Sequence, residues 1–584
     1  MLRVVAFQKA ILAGAAGALV WELALRLLLL LGCPTFDIVR ELGTLLFPRG
    51  SAAEWWPAGM AAHAAVGAAW ALFYAYFFWA RFDWPPPLQG LVFAILPAVL
   101  ATVVANPQLA LMHRHADTVQ LHWNLFARGL QPAILGGLIL GHALFGLTAG
   151  SLYTRPVGYR VDRPPRKPSS IREARTGARR DRPSTGFIFA TGIECSYPMT
   201  GHGRWRRDEM EGTRHYARWR EDFELAREVG ITHLRYGPPL HLIFRAPGRY
   251  DWSWCDEPMA ELVELGPEPI VDLCHFGLPS WLGDFQNAEI VPALAEYAAA
   301  FAERYPGVRF FTPINEMYVC ARMSALDGVW NEQRRDERAF VAAVLNLASA
   351  CIGMTDAILE RRPDAIFVNS ESSEFCQACC PDPEIEAIAA FENERRFLPL
   401  DLIYAKEVSP RMRVYLGEHG LGDEQYRRFM AREVPRRTVL GLDYYEWNER
   451  LIDLDGRVQS LGELFGWHVI ASQYWERYRR TLMHTETNRS DASQASAWLW
   501  RQWHNVQLMR HSGVPLIGFT WYSLTDQIDW EQAIEEPLGI VYPVGLFDLN
   551  RDPRAVGLSY KHLIDMHRGL PEYRECPAVK ALVD

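Results

Sequence analysis

Thr312-Pro-Ile-Asn-Glu316 and His484-Thr-Glu486-Thr-Asn488 are the stretches on which the reading of this chain turns. Each sets a glutamate at the end of a predicted β-strand, inside a chain that alternates strands with helices. Short runs rich in β-branched and aromatic residues recur at 187–194, 232–238, 268–276, 309–316, 365–370, 439–445, 482–486 and 516–521. Amphipathic helical patterns fill the gaps, among them 216–229, 339–361, 494–511 and 558–567. Eight strands with intervening helices predict an α/β fold, a closed (β/α)8 TIM barrel. An open doubly wound sheet is the alternative, but no glycine-rich dinucleotide loop follows the first strand.

Chemistry in such a barrel sits at the C-terminal ends of the strands. The polar residues expected there are Glu194, Arg235, His275, Asn315 with Glu316, Glu371, Tyr444 with Tyr445, Glu486, and Asp526 with Asp529. Charged groups gathered on one rim are expensive to dehydrate, which points to a site and not to packing. Two carboxylates delivered from different strands to one mouth suit double-displacement cleavage of a glycosidic bond.

The chain has 584 residues, more than one domain needs, and a net charge of −9 that gives no electrostatic case for nucleic acid. Its 21 tryptophans fit sugar sites and cores alike. Ten cysteines are scattered through predicted strands and helices, unlike a disulfide scaffold, and fit a reducing compartment. Cys376-Gln-Ala-Cys379-Cys380 is the one cluster, and no second Cys-x-x-Cys completes a metal site.

Residues 1–153 differ in kind from the rest. Apolar runs at 10–31, 55–78, 88–105 and 130–152 are long enough to cross a hydrocarbon core, predicting an all-α transmembrane bundle of four helices. Glu22 and Arg26 in the first run are spaced to pair along one face. Gly137-x-x-x-Gly141 and Gly146-x-x-x-Gly150 suit close helix packing in lipid, and Trp55, Trp56, Trp79 and Trp123 fall near run ends. His113, His115 and His122 lie between the last two runs, where a solvated loop is the simpler reading than a metal site.

A Pro/Arg-rich linker, 154–185, comes next. It carries Arg155, Arg160, Arg163, Arg166, Lys167, Arg172, Arg175, Arg179, Arg180 and Arg182 against Asp162, Glu173 and Asp181. A basic segment directly after the last span predicts a cytoplasmic side, contact with anionic membrane lipids, and a multi-pass protein of the cell (inner) membrane. The catalytic domain, 186–584, is then expected in the cytoplasm.

Over roughly 186–567 these motifs resemble glycoside hydrolase family 1, the retaining β-glucosidase and β-galactosidase group. Thr312-Pro-Ile-Asn-Glu316 resembles the family's T-[FL]-N-E, with one residue more, and implies Glu316 as acid/base and Asn315 as donor to the sugar 2-hydroxyl. His484-Thr-Glu486-Thr-Asn488 stands where the family has I-T-E-N-G and implies Glu486 as nucleophile. Leu234-Arg235-Tyr236 resembles the second-strand motif whose arginine steadies that nucleophile. The segment from Cys274 to Trp281 resembles H-W-D-L-P-x-W, which implies His275 on the non-reducing sugar and puts Phe276 at the tryptophan position. Gly441-Leu-Asp-Tyr444-Tyr445 resembles G-x-N-Y-Y, with Asp443 for asparagine, and implies a tyrosine bonded to Glu486.

Further departures bear on specificity. Ser523-Leu-Thr-Asp526-Gln-Ile-Asp529-Trp530 resembles S-L-x-D-N-F-E-W, so Asp529 replaces the glutamate that grips the sugar O4 and O6. Tyr522 stands at the usual tryptophan position with Trp521 before it, leaving either as the stacking platform. Glu194 stands where the family carries a glutamine. The substrate-binding set expected from the resemblance is therefore Glu194, Arg235, His275, Asn315, Tyr444, Tyr445, Trp521, Tyr522, Asp529 and Trp530.

The implied function is a membrane-anchored retaining β-glycosidase acting on a carbohydrate or glycolipid, with no metal or organic cofactor. A glycolipid transglycosylase using the same glutamates is the near alternative, since one divergent branch of the family is membrane-associated. A sugar-sensing barrel that binds without cleaving is a third reading, and a transporter fused to a hydrolase a fourth. Sugar, linkage, aglycone and oligomeric state are not specified by these motifs.

Overall fold

The computed structural model describes residues 7–33, 37–78, 85–101, 132–153, 185–201, 203, 205–264, 266–530 and 538–583. The chain divides into two compact units, a helical one within Met1–Pro164 and a barrel formed by most of the remaining residues. The basic linker (except its last residue), the three histidines at 113–122, Trp79 and Trp123 lie outside the described residues.

In the barrel, eight parallel strands close on themselves: β1 (Ile188–Glu194), β2 (His233–Gly237), β3 (Glu268–Asp272), β4 (Phe310–Thr312), β5 (Ile366–Ser372), β6 (Thr438–Asp443), β7 (Thr481–Glu486) and β8 (Leu516–Trp521). Each pairs with its neighbours in sequence, and β8 returns to β1 with Thr191 opposite Trp521. Every residue of β1, β2, β5, β6 and β8 is buried. Helices cover the outside and side chains fill the inside, so burial is continuous along these strands and does not alternate.

The predicted strands at 268–276, 309–316 and 439–445 end early. Pro313 has no N–H to give to a ladder, so β4 stops at Thr312. Glu316 is therefore not on a strand; it precedes the helix Met317–Ala325 as its N-terminal cap residue, with φ 42° and ψ 62°. Two backbone bonds fix the approach: Asn315 N–H donates to Cys274 O at 3.0 Å and Glu316 N–H to Ser370 O at 2.9 Å. A left-handed conformation at a glutamate is uncommon and persists only when its surroundings determine it.

One buried ion cluster ties the front of the barrel to its end. Asp222, on the helix His215–Val229, accepts from His215 Nδ1 at 2.8 Å and from Arg551 Nε and Nη2 at 2.7 and 2.9 Å. The charges of His215 and Arg551 outweigh burial and hold the Asp222 carboxyl below its usual range.

The helical unit is built from Phe7–Leu30, Ile38–Leu46, Ala52–Phe73 continued by a π turn at Tyr74–Phe78, Pro86–Phe93, Ile95–Leu100 and Pro132–Leu152. Glu22 accepts from Arg26 Nε at 2.6 Å, and Arg26 also spans to Asp37 at 3.1 and 3.2 Å. Small residues let helices meet backbone to backbone. A Cβ on Gly146 would stand 2.3 Å from Gly90 O, and one on Gly150 2.4 Å from Pro86 O.

Four helices among the described residues are long and apolar enough to cross a bilayer: Phe7–Leu30, Ala52–Phe78, Leu135–Leu152 and Glu337–Arg361. The last belongs to the barrel, where Phe340, Val344, Leu347, Cys351, Met354 and Ile358 pack inward. The predicted run at 88–105 is instead two short helices over its described part. Pro97 lacks the N–H that would bond Phe93 O, and the helix breaks between them.

Removing Asp222 strands Arg551 as a buried, unpaired cation. Asp222→Ala is expected to destabilise the barrel by about 3–5 kcal/mol, read from denaturant unfolding followed by tryptophan fluorescence. The double variant with Arg551→Met should recover part of the loss.

Candidate active site

The site is organised around Arg235, which projects from β2 into the barrel while Leu234 and Tyr236 face outward; the Tyr236 hydroxyl meets His215 Nε2 at 3.2 Å. The guanidinium is wholly buried. Its Nη1 donates to Glu486 Oε1 and, at 3.0 Å, to Thr485 O, and its Nη2 donates to Asn315 Oδ1 at 2.7 Å. Three more carboxylates stand close: Glu194 Oε1 at 3.2 Å, Asp272 Oδ2 at 3.7 Å and Asp443 Oδ1 at 3.8 Å. Burial alone would pull the guanidinium down, but Glu194, Glu486, Asp443 and Asp272 outweigh it and hold its pKa well above the ordinary value.

Glu486 closes β7. Its other oxygen, Oε2, accepts the Tyr445 hydroxyl at 2.6 Å. One carboxylate held by a guanidinium and a phenol is fixed in direction. Glu316 lies in the opposite situation. Burial first, then the charges of Asp443, Glu486 and Glu371, push its carboxyl well above the usual range, with Arg235 opposing. The two glutamates thus have different partners.

Glu194 ends β1 and neither of its oxygens accepts a hydrogen bond. His275 turns its Nδ1 to Asp272 Oδ2 at 2.8 Å, leaving Nε2 without a partner. Asn315 Nδ2 and the Tyr522 hydroxyl are likewise buried and unbonded. Such orphaned groups are costly unless a ligand or water meets them. The Tyr522 ring occupies space that glycine at position 192 leaves open, since a Cβ there would meet the ring at 2.6 Å. Asp529, with φ 57°, pairs with Arg207 Nη1 at 2.5 Å, and Trp530 lies 6.4 and 6.2 Å from the Phe276 and Tyr522 rings.

Two of the expected sugar contacts are engaged with other partners. Tyr444 is not available: its hydroxyl donates to Glu449 Oε1 at 2.6 Å and its ring lies parallel to Trp498. Adjacent residues leaving a strand face opposite ways, so of the tyrosine pair Tyr445 alone reaches Glu486. Trp521 is also turned away, its indole N–H donating to Val544 O at 2.9 Å, which leaves Tyr522 as the ring beside the carboxylates.

Three residues outside the expected set take part. Asp272 orients His275, and its place at the end of β3, three residues earlier, was a readable signal. Asp443 accepts from the Ser370 hydroxyl at 2.7 Å. Arg207, which grips Asp529, comes from an excursion after β1 and had no motif to announce it.

Comparison with known proteins agrees with the barrel fold. Residues 204–420 match the model of Glycosyl hydrolase family 1. The chain is 25% identical to Beta-glucosidase A of Thermotoga maritima over 368 residues, 56% of this chain and 81% of that one. It is 24% identical to a 1,4-beta-D-glucan glucohydrolase of Thermotoga neapolitana over 394 residues, covering 60% of this chain and 86% of that one. A solved family 1 β-glucosidase from Thermotoga maritima superposes with a TM-score of 0.55 at 19% identity, over 66% of this chain and 98% of the other. With its closed parallel barrel and this match over residues 204–420, the chain is similar to glycosyl hydrolase family 1 and is a glycoside hydrolase.

Proposed function

We propose that the protein is a membrane-anchored retaining β-glycosidase that works by double displacement, with Glu486 as nucleophile and Glu316 as acid/base. The observation that carries this is the contrast within the pair. Glu486 is held by Arg235 and Tyr445, while Glu316 is pushed toward its protonated form. In the first step Glu486 attacks the anomeric carbon, and the bond to the aglycone oxygen breaks as that oxygen takes the Glu316 proton. In the second, Glu316 draws a proton from water, whose oxygen displaces Glu486 and releases the sugar.

Asn315 Nδ2, His275 Nε2 and the Tyr522 hydroxyl are among the buried groups without a partner that could meet sugar hydroxyls. Anchoring is supported by the apolar N-terminal helices and by the basic run at 155–182, which together favour a barrel on the cytoplasmic face. The same helices favour glycolipid transfer as a second reading, in which a lipid-borne hydroxyl replaces water in the second step.

Trapping with a panel of 2-deoxy-2-fluoro glycosides should leave one covalently labelled peptide containing Glu486. Glu486→Gln should neither label nor turn over; a label on another residue refutes the assignment. Product analysis with a glycolipid donor and a competing acceptor separates transfer from hydrolysis, since free sugar alone excludes transfer.

The pH profile tests Glu316. Its raised pKa keeps the proton in place where a free glutamate is ionised, so kcat/KM should hold beyond the ordinary carboxylate range and fall as pH rises through the shifted value. Glu316→Gln should remove that alkaline limb. It should also lower turnover of an alkyl glycoside by about 10²–10⁴-fold, and much less for a dinitrophenyl leaving group, which needs no proton.

A further inference from the structure

The site holds more carboxylate than the proposed chemistry uses. Double displacement employs Glu486 and Glu316. Glu194, Asp272 and Asp443 remain, all within 3.8 Å of Arg235 and none more than 3% exposed. One guanidinium faces these three as well as Glu486. Buried carboxylates without compensating charge cost several kcal/mol each, so such a cluster either takes up protons or waits for a cation.

Glu194 and Asp443 are both driven well above the usual carboxylate range, by burial first and then by the charge of Glu486, with Arg235 opposing. At positions 194 and 443 the family resemblance leads one to expect neutral amides, so the excess charge is a property of this chain. The cluster is also open to a ligand: Glu194 accepts no hydrogen bond on either oxygen, and His275 Nε2 has no partner.

A ligand suited to Glu194, Asp272 and His275 carries a positive charge and several N–H donors. These three offer ligand atoms within 4.8 Å of one another, a spacing that would also admit a metal ion. Two contacts argue for a monocation instead. His275 Nδ1 is already engaged with Asp272 Oδ2 at 2.8 Å, and Arg235 stands 3.2 Å from Glu194 and 3.7 Å from Asp272, where it repels a dication twice as strongly.

We infer that the sugar pocket takes an amino-deoxy glycoside, its ammonium seated on Glu194 and Asp272 and a neighbouring hydroxyl on His275 Nε2. The ammonium presents three donors, enough to reach both carboxylates, and neutralises charge that a plain hexose leaves buried. This names a substrate class for the proposed glycosidase and rests on that reading for turnover, though not for binding.

The test uses the full-length protein in detergent micelles. Initial rates are compared for p-nitrophenyl β-D-glucoside and its 2-amino-2-deoxy and 3-amino-3-deoxy counterparts, and binding of the corresponding methyl glycosides is measured by calorimetry. One amino glycoside is expected to exceed the glucoside in kcat/KM by about tenfold or more, a difference of about 1.4 kcal/mol. Glu194→Gln and Asp272→Asn are each expected to shrink that ratio by about tenfold.

A wild-type protein that prefers the glucoside, or treats all three alike, overturns the inference and leaves the glycosidase reading intact. So does turnover that chelation abolishes and a divalent cation restores, because the trio is then a metal site. If no aryl glycoside is cleaved, tighter binding of a methyl amino glycoside than of methyl glucoside upholds the inference while the hydrolytic reading falls; equal binding overturns both.

Discussion

A single buried guanidinium holds this site together. Arg235 reaches strands β1, β3, β6 and β7 and the segment before Glu316, so the positions of its carboxylate neighbours are set by one side chain. In a medium that solvates charge poorly, the attraction that fixes those neighbours is large, and so is the penalty for leaving any of them unpaired. Closure of the barrel brings the five groups together, and the arginine makes their meeting tolerable.

The same residue distinguishes the surroundings of the two glutamates. Glu486 and Glu316 are one chemical group in two environments, one bonded to Arg235 and a phenol, the other surrounded by like charge. The left-handed backbone at Glu316 and the early end of β4 at Pro313 belong to this arrangement, since they lift the glutamate off the sheet and onto the start of a helix.

Much of this was legible from residue types and spacing. The pattern of strand-forming runs located the barrel, with Arg235 within one strand, Glu486 at the end of another, and Asn315 and Glu316 just past the end of a third. What sequence left open was direction. Tyr444 and Tyr445 are adjacent and chemically alike, and only the backbone's exit from β6 turns one toward Glu486 and the other toward Glu449. Trp521 and Tyr522 divide in the same way. Arg207 was not legible, because its partnership with Asp529 joins an excursion after β1 to a loop after β8, a distance no local pattern spans.

The helix Glu337–Arg361 carries a consequence for biogenesis. By length and apolar content it matches the N-terminal helices, yet in the finished molecule its greasy side faces β-strands and neighbouring helices. A translocation channel sampling the nascent chain reads composition and not destination. This segment emerges before β5 to β8 exist to complete the ring, so its apolar face is made before its full cover is.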